Sequence, residues 1–141
     1  MNLFGILDIS ASALLAQRQR AEVVTSNLAN AESDSANPAS VYRRKEVVFG
    51  AENMPFAQSL ENASNAQGVA VEGVVTDGSP LVRRYEPGSP NADAQGYVNY
   101  PNINPAQEMT DLMEAVRSYQ LNISAAQATK SMIQQTLTLL R

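Results

Sequence analysis

The chain has 141 residues, 44% of them apolar, with ten basic and fourteen acidic side chains and a net charge of −4. That length holds one small domain with long helices, not two large domains, and the acidic balance disfavours a nucleic-acid binder. Cysteine and histidine are both missing, which removes disulfides, thiolate catalysis and the commonest general base and metal ligand.

Residues 1–31 predict an amphipathic helix. Leu7, Leu14, Ala21 and Leu28 repeat every seven residues, with Leu3, Ala11, Val24 and Ala31 on much the same face. A second row, Ile6, Ile9, Ala13, Ala16 and Val23, lies alongside. The apolar surface is therefore wider than one seam, which suits packing against other chains or one deep core groove. The first basic residue is Arg18, so the start does not read as a secretory signal, and export would need another route.

Residues 32–104 carry the charge and the proline. They hold nine acids and five bases, which supplies the whole net charge, and Pro38 to Pro101 all lie here, with Pro105 at the edge. Both ends are thus free of the strongest helix breaker. Val41–Phe49 is rich in β-formers, and 68–76, 81–86 and 97–100 are further strand candidates. Residues 50–67 are polar and alanine-rich, and predict a mobile loop. The middle reads as a small β unit with a marginal core.

Residues 105–141 give the clearest pattern. Met109, Val116, Ile123, Lys130 and Leu137 form one heptad row, and Leu112, Tyr119, Ala126, Ile133 and Leu140 the other. Nine of these ten are apolar or aromatic, as in a coiled-coil seam. Asn104 suits the cap, Pro105 the first turn, and Gln107 a capping box. Glu108 and Asp111 sit where the helix dipole favours acids. A helix over 105–140 is about 54 Å long and needs a partner helix to cover its seam. The expected fold class is α+β, with long terminal helices in an antiparallel coiled coil and a small β-rich insert between them.

Few residues suggest site chemistry. Asn91-Ala92-Asp93-Ala94-Gln95-Gly96 imitates the start of a calcium-binding loop, but the twelfth position is Asn102 where a bidentate Glu is required. A turn in which Asp and Asn bond their own backbone fits better. Glu86 and Asp93 are a nominal carboxylate pair with no cleft residues to support glycoside cleavage. Arg43-Arg44-Lys45 and Arg83-Arg84 can solvate strands, or meet an anionic cell-wall polymer or the acids of a neighbouring chain. Lys130 either fixes register within the seam or packs its stem and snorkels. Tyr119 is a ring for the core whose hydroxyl wants a partner. Asn27 and Asn30 suit capping or backbone bonding at the end of the first helix.

Several tracts carry a family resemblance. Thr25-Ser26-Asn27-Leu28-Ala29-Asn30-Ala31 resembles the SNLANA motif of the flagellar rod and hook family. Tyr85-Glu86-Pro87-Gly88-Ser89-Pro90, with the following tract through Gly96-Tyr97-Val98 and Pro101-Asn102, is similar to the proximal-rod members of that family. So are Tyr42-Arg43, Val47-Val48-Phe49, Arg117-Ser118-Tyr119-Gln120 and Lys130-Ser131-Met132. Many relatives follow SNLANA closely with Pro-Gly-Tyr, whereas here Glu32–Ser40 intervenes before Val41, as in the proximal-rod arrangement.

The resemblance implies a structural subunit of the bacterial flagellar basal-body rod, not an enzyme. Its terminal helices would form an inner coiled-coil domain around the export channel, and its middle would contact neighbours. It implies a periplasmic rod location, reached through the flagellar type III export apparatus without signal cleavage, with Phe4 in Leu3–Leu7 as a candidate export-recognition residue. The implied partners are copies of itself, other rod proteins, and the rod cap or rod-linked muramidase. No cofactor, metal, nucleic acid or small-molecule substrate is called for. The alternative is an export accessory or chaperone-like binder using the same helices.

Overall fold

The computed structural model describes residues 3–35, 37–51 and 67–139. Among them, two long helices enclose four strands in chain order: α1 (Leu3–Ala29), β1 (Lys45–Ala51), β2 (Val69–Thr76), β3 (Val82–Tyr85), β4 (Tyr97–Tyr100) and α2 (Pro105–Leu139). The architecture is the expected α+β arrangement. The side chains of Leu3 and Phe4, residues 52–66 of the loop expected over 50–67, and Leu140 lie outside the described residues, while Gly50 and Ala51 of that expected loop belong to β1.

The start of α2 follows from its cap. Asn104 Oδ1 accepts a hydrogen bond from the Ala106 N–H at 3.1 Å, and Pro105 gives up no hydrogen bond at the first helical position. Asn104 thus caps the second helical residue, and among the described residues Gln107 makes no reciprocal bond to it, so the expected capping box gives way to a simple cap. α1 closes at Asn30, whose amide donates to the Ser26 carbonyl at 2.8 Å while its backbone N–H bonds the Ser26 carbonyl at 3.1 Å. Beyond it the Ala31 N–H reaches the Leu28 carbonyl at 3.3 Å and the Ser33 N–H the Asn30 carbonyl at 3.1 Å, carbonyls that the helix itself leaves free.

α1 and α2 pack antiparallel along their length, and among the described elements α2 packs on α1 alone. The buried row of α2 is Glu108, Ala115 and Thr129, spaced by seven and fourteen residues. This row lies one residue before the heptad row expected from apolarity. Met109 is 53% exposed and Leu137 is 61% exposed, and Val116 is also open. Small side chains let the two backbones approach, so Ala115 and Thr129 take the inner positions and the larger Met109, Val116 and Leu137 are displaced outward. Ile123 of that row and Leu112, Ala126 and Ile133 of the second are half-buried, as are Leu7, Leu14, Ala21 and Leu28 of α1, whereas Tyr119, expected in the core, is exposed.

The strands form two separate antiparallel pairs, β1–β2 and β3–β4. β1 runs from Lys45 paired with Thr76 to Ala51 paired with Val69, and the register shifts between Val48 and Phe49. Glu72 is the extra residue of this bulge, which adds local twist. The pair lies against α1, where the Val69 N–H donates to Ser12 Oγ at 3.1 Å. The strand expected over 41–49 begins later, because Val41 is buried and Tyr42 and Arg44 are committed to contacts described below.

β3–β4 is docked by its inner strand. Val98 is fully buried, Ala31 and Val41 are nearly so, and Ser35 bridges Asn99. Apart from Pro101, the buried apolar side chains of the described residues are alanine or valine: Ala16, Val24, Ala31, Val41, Val98 and Ala115.

Candidate functional site

The most elaborate set of interactions joins α1, α2 and the start of β1. Asn27 and Glu108 are each 1% exposed. The Asn27 amide uses its full capacity of two donated and two accepted bonds. Nδ2 donates to the Lys45 carbonyl at 2.8 Å and to Glu108 Oε2 at 3.0 Å. Oδ1 accepts from the Lys45 N–H at 3.0 Å and from the Tyr42 hydroxyl at 3.0 Å. Asn27 therefore holds both polar groups of the first β1 residue, as a neighbouring strand would. With the Tyr42 proton committed to Asn27, Ser26 Oγ donates to the Tyr42 oxygen across 3.2 Å.

Glu108 is paired as well as buried. Arg44 Nε lies 2.6 Å from its Oε1. Arg44 also pairs with Glu46 and approaches Asp111 at 3.7 Å. Arg20 of α1 reaches Asp111 at 3.6 Å and Glu114 at 3.3 Å. A buried carboxylate without partners is costly, so this arrangement is satisfied only when α1, α2 and the strand entry are all in place. Its chemistry is positional: it fixes the β1–β2 pair relative to the helical pair. A cleft of about 450 Å³ beside it is lined by Arg20, Asn27, Arg44, Glu108 and Asp111 among others. Among the described residues, no group of three or more acidic side chains is placed to hold a metal.

The Tyr85-to-Tyr97 tract builds a tight turn. The Glu86 N–H donates to the Gly96 carbonyl at 2.9 Å. Gly96 has φ +82°, and a Cβ there would sit 2.9 Å from the Tyr85 ring and 3.3 Å from Pro87 Cβ. Asp93 Oδ1 accepts from the Tyr97 N–H at 2.8 Å and the Gln95 N–H at 2.9 Å, and Arg83 lies 2.7 Å from Oδ2. The Tyr97 N–H, then the Gln95 N–H and Arg83, hold the Asp93 carboxyl below its ordinary range against a smaller desolvation effect. The calcium-loop imitation is thus a turn closed by its own aspartate. The Tyr100 hydroxyl donates to Glu86 Oε2 at 2.9 Å, and this bond pushes the Tyr100 phenol up. Glu86 and Asp93 both serve structure here. Arg83 stacks on Tyr97 at 4.7 Å and Arg84 on Tyr100 at 4.6 Å, while Tyr85 and Tyr97 meet edge to face at 5.3 Å. Pro87 and Gly88 lie exposed at the tip.

The expected motif residues thus fall into two groups. Ser26, Asn27 and Asn30 serve the helix end and the three-way junction, with Leu28 half-buried and Ala29 exposed. Tyr85, Glu86, Gly96 and Tyr97 serve the β3–β4 turn. Arg44 and Glu108 were not expected to meet. They are 64 residues apart, and a buried glutamate in a first helical turn reads from sequence as a dipole-facing surface acid. The one available signal was a polar SNLANA asparagine on an otherwise apolar face, which asks for buried partners.

Residues 7–32 match the family described as flagella basal body rod protein, and residues 94–139 match the flagellar basal body rod FlgEFG protein C-terminal family. The chain belongs to the flagellar basal-body rod proteins. It is 45% identical over 139 residues to the flagellar basal-body rod protein FlgC of Escherichia coli O157:H7, covering 99% of this chain and 98% of that one. It is 44% identical to FlgC of Salmonella typhimurium with the same coverage. The FlgC of Bacillus subtilis is 40% identical over 148 residues, covering 97% of each chain. Among rod proteins, the chain belongs to the FlgC family.

Proposed function

We propose that this chain is a structural subunit of the flagellar basal-body rod that polymerises through its terminal helices. The observation that carries the reading is the inversion of size between inside and outside. Alanine and valine fill the interior while Met109, Met113, Val116, Leu121, Leu137 and Leu139 stand open. Such a chain reaches its full core only among neighbours.

In this reading residues 1–31 and 105–141 form the inner wall around the export channel, and residues 32–104 form the outer region that meets adjacent subunits. The three-way junction at Asn27 keeps the two layers in fixed relation, so torque applied to one is passed to the other. The partners are copies of itself and other rod proteins, with the rod cap or its linked muramidase during growth. The chain reaches the periplasm through the flagellar type III apparatus, and Phe4 in the apolar start is the candidate recognition residue. The work of such a subunit is mechanical rather than catalytic.

The test is a seam substitution followed by localisation. Ile123→Asp or Ile133→Asp places a carboxylate on the half-buried face, where lost burial of about 1.5–3 kcal/mol is joined by desolvation of the charge. Either variant is expected to be exported and to abolish swimming. Normal swimming would overturn the helical-assembly reading. A wild-type chain that stays in the cytosol would instead mark an export accessory.

A further inference from the structure

The corner after β2 holds a chemically labile dipeptide. Asp77-Gly78 is the one Asp-Gly in the sequence, and Asn-Gly does not occur. A residue without Cβ gives its backbone nitrogen the least hindered approach to the preceding side-chain carboxyl. Nothing in the fold calls for glycine at this position. Among the described residues the left-handed backbone belongs to Gly96 and not to Gly78, and a Cβ at Gly78 would meet nothing within 4 Å. Gly78 is exposed and Asp77 is half-buried.

Ser79 binds the Asp77 carboxyl twice through one oxygen. Its N–H donates to Asp77 Oδ1 at 2.8 Å, and its hydroxyl donates to the same oxygen at 2.7 Å. Donors meet a carboxyl oxygen near the plane of the group, so both bonds hold the carboxyl with its edge toward Ser79. Attack by the Gly78 nitrogen needs the other presentation, with that nitrogen above the face of the carboxyl carbon. The Ser79 hydroxyl, then the Ser79 N–H, also hold the Asp77 carboxyl below its ordinary value of 3.8. The leaving oxygen departs as water from the protonated carboxyl, so the ionised form is the slower reactant. Two further bonds tie the corner to the approach to β1. The Asp77 N–H donates to the Arg44 carbonyl at 2.8 Å, and Arg43 Nη1 donates to the Ser79 carbonyl at 3.1 Å.

We propose that Asp77-Gly78 is a self-modification site of this chain, and that Ser79 holds it closed in the folded protein. In the step itself the Gly78 nitrogen bonds to Asp77 Cγ and gives up its proton, and the carboxyl hydroxyl leaves with that proton as water. The product is a five-membered succinimide. Water then opens the ring at either carbonyl. One opening restores aspartate, and the other leaves isoaspartate, whose backbone runs through the side-chain carbon. The added backbone atom falls between the bond to the Arg44 carbonyl and the bond from Arg43. Modification therefore shifts the corner against the same Arg44 that pairs with Glu108.

The purified full-length chain is incubated warm in neutral buffer made with oxygen-18 water. Trypsin then releases peptide 46–83, which is sequenced by electron-transfer fragmentation. The folded parent is expected to gain isoaspartate and heavy oxygen at Asp77 slowly, and the same chain unfolded in urea at least about fivefold faster. Folded Ser79→Ala is expected to gain them about fivefold faster than the folded parent, while Ser79→Thr, which keeps the hydroxyl, matches the parent. Gly78→Ala places its methyl in open space and is expected to slow the modification, folded or unfolded. Circular dichroism checks that each variant is folded, and the comparison of folded with unfolded parent needs no substitution. Equal rates in folded and unfolded parent, or in folded Ser79→Ala and folded parent, would overturn the protective role of Ser79. An unfolded chain that forms no isoaspartate at Asp77, or forms it without heavy oxygen, would overturn the site itself.

Discussion

Replacing Asn27 by alanine removes four hydrogen bonds at one stroke. The Lys45 N–H, the Lys45 carbonyl and Glu108 Oε2 lose a partner at 2.8–3.0 Å, and the Tyr42 hydroxyl keeps only Ser26. An orphaned polar group costs about 1–3 kcal/mol when buried. Lys45 is at an exposed strand end, so water recovers part of its loss, whereas the Glu108 carboxylate is sealed. The sum is about 3 kcal/mol. With an m-value near 2 kcal/mol/M, the urea midpoint read by far-UV circular dichroism falls by about 1.5 M. Asn27→Asp is expected to be worse, since it sets a second carboxylate beside that of Glu108 where a donor stood. Asn30→Ala serves as the control. Its amide makes one bond, to the Ser26 carbonyl, and its loss costs about 1 kcal/mol. A midpoint for Asn27→Ala within about 0.2 M of the parent would refute the claim that this residue locks the three elements.

Other outcomes follow from the same geometry. Gly96→Ala forces a side chain into a left-handed conformation worth about 1–2 kcal/mol and against the Tyr85 ring, so amide exchange across β3–β4 should speed up while the helices keep their protection. The Asp93 carboxyl is held below its ordinary value of 3.8, so its support for the turn is present above that value and is lost as pH falls through the lower folded value. Amide protection at Gln95 and Tyr97 should therefore fall in acid below about pH 3.8, and Asp93→Asn, which keeps the acceptor without the titration, should flatten that dependence. Leu121→Asp, on an exposed face of α2, should leave the folding midpoint of the purified chain near that of the parent and still prevent incorporation into basal bodies. Unchanged incorporation would remove this face from the assembly surface.

Most of the elements were legible because their signals are local. Proline exclusion and heptad spacing mark both helices, a β-branched run marks 69–76, and the turn at Gln95-Gly96 marks the start of 97–100. The position of the helix–helix contact was not legible. Scoring by apolarity picks Met109, Val116 and Leu137, whereas contact between long helices is decided by what lets them come close, here Ala115 and Thr129. The displaced row still carries information, since Val116, Tyr119 and Ile123 line the hollows between the helices. Strand β1 begins late for a similar reason. Tyr42 has good β propensity, but its side chain and that of Arg44 satisfy Asn27 and Glu108, and tertiary bonds override a local preference. The junction at Asn27 depends on partners 15 to 81 residues away, a separation no spacing rule reaches. Tyr85 to Tyr97 was readable as a turn from its Asp, Gly and Pro content, though not the Tyr100–Glu86 bond that ties its far end.

The central claim, a structural rod subunit, is tested most directly by mass spectrometry of purified hook–basal bodies, with a deletion strain viewed by electron microscopy. The account predicts that the chain is present in the particle and that its deletion stops assembly before the hook. A particle that lacks the chain, from cells in which the chain stays in the cytosol and flagella are nonetheless lost on deletion, would contradict it.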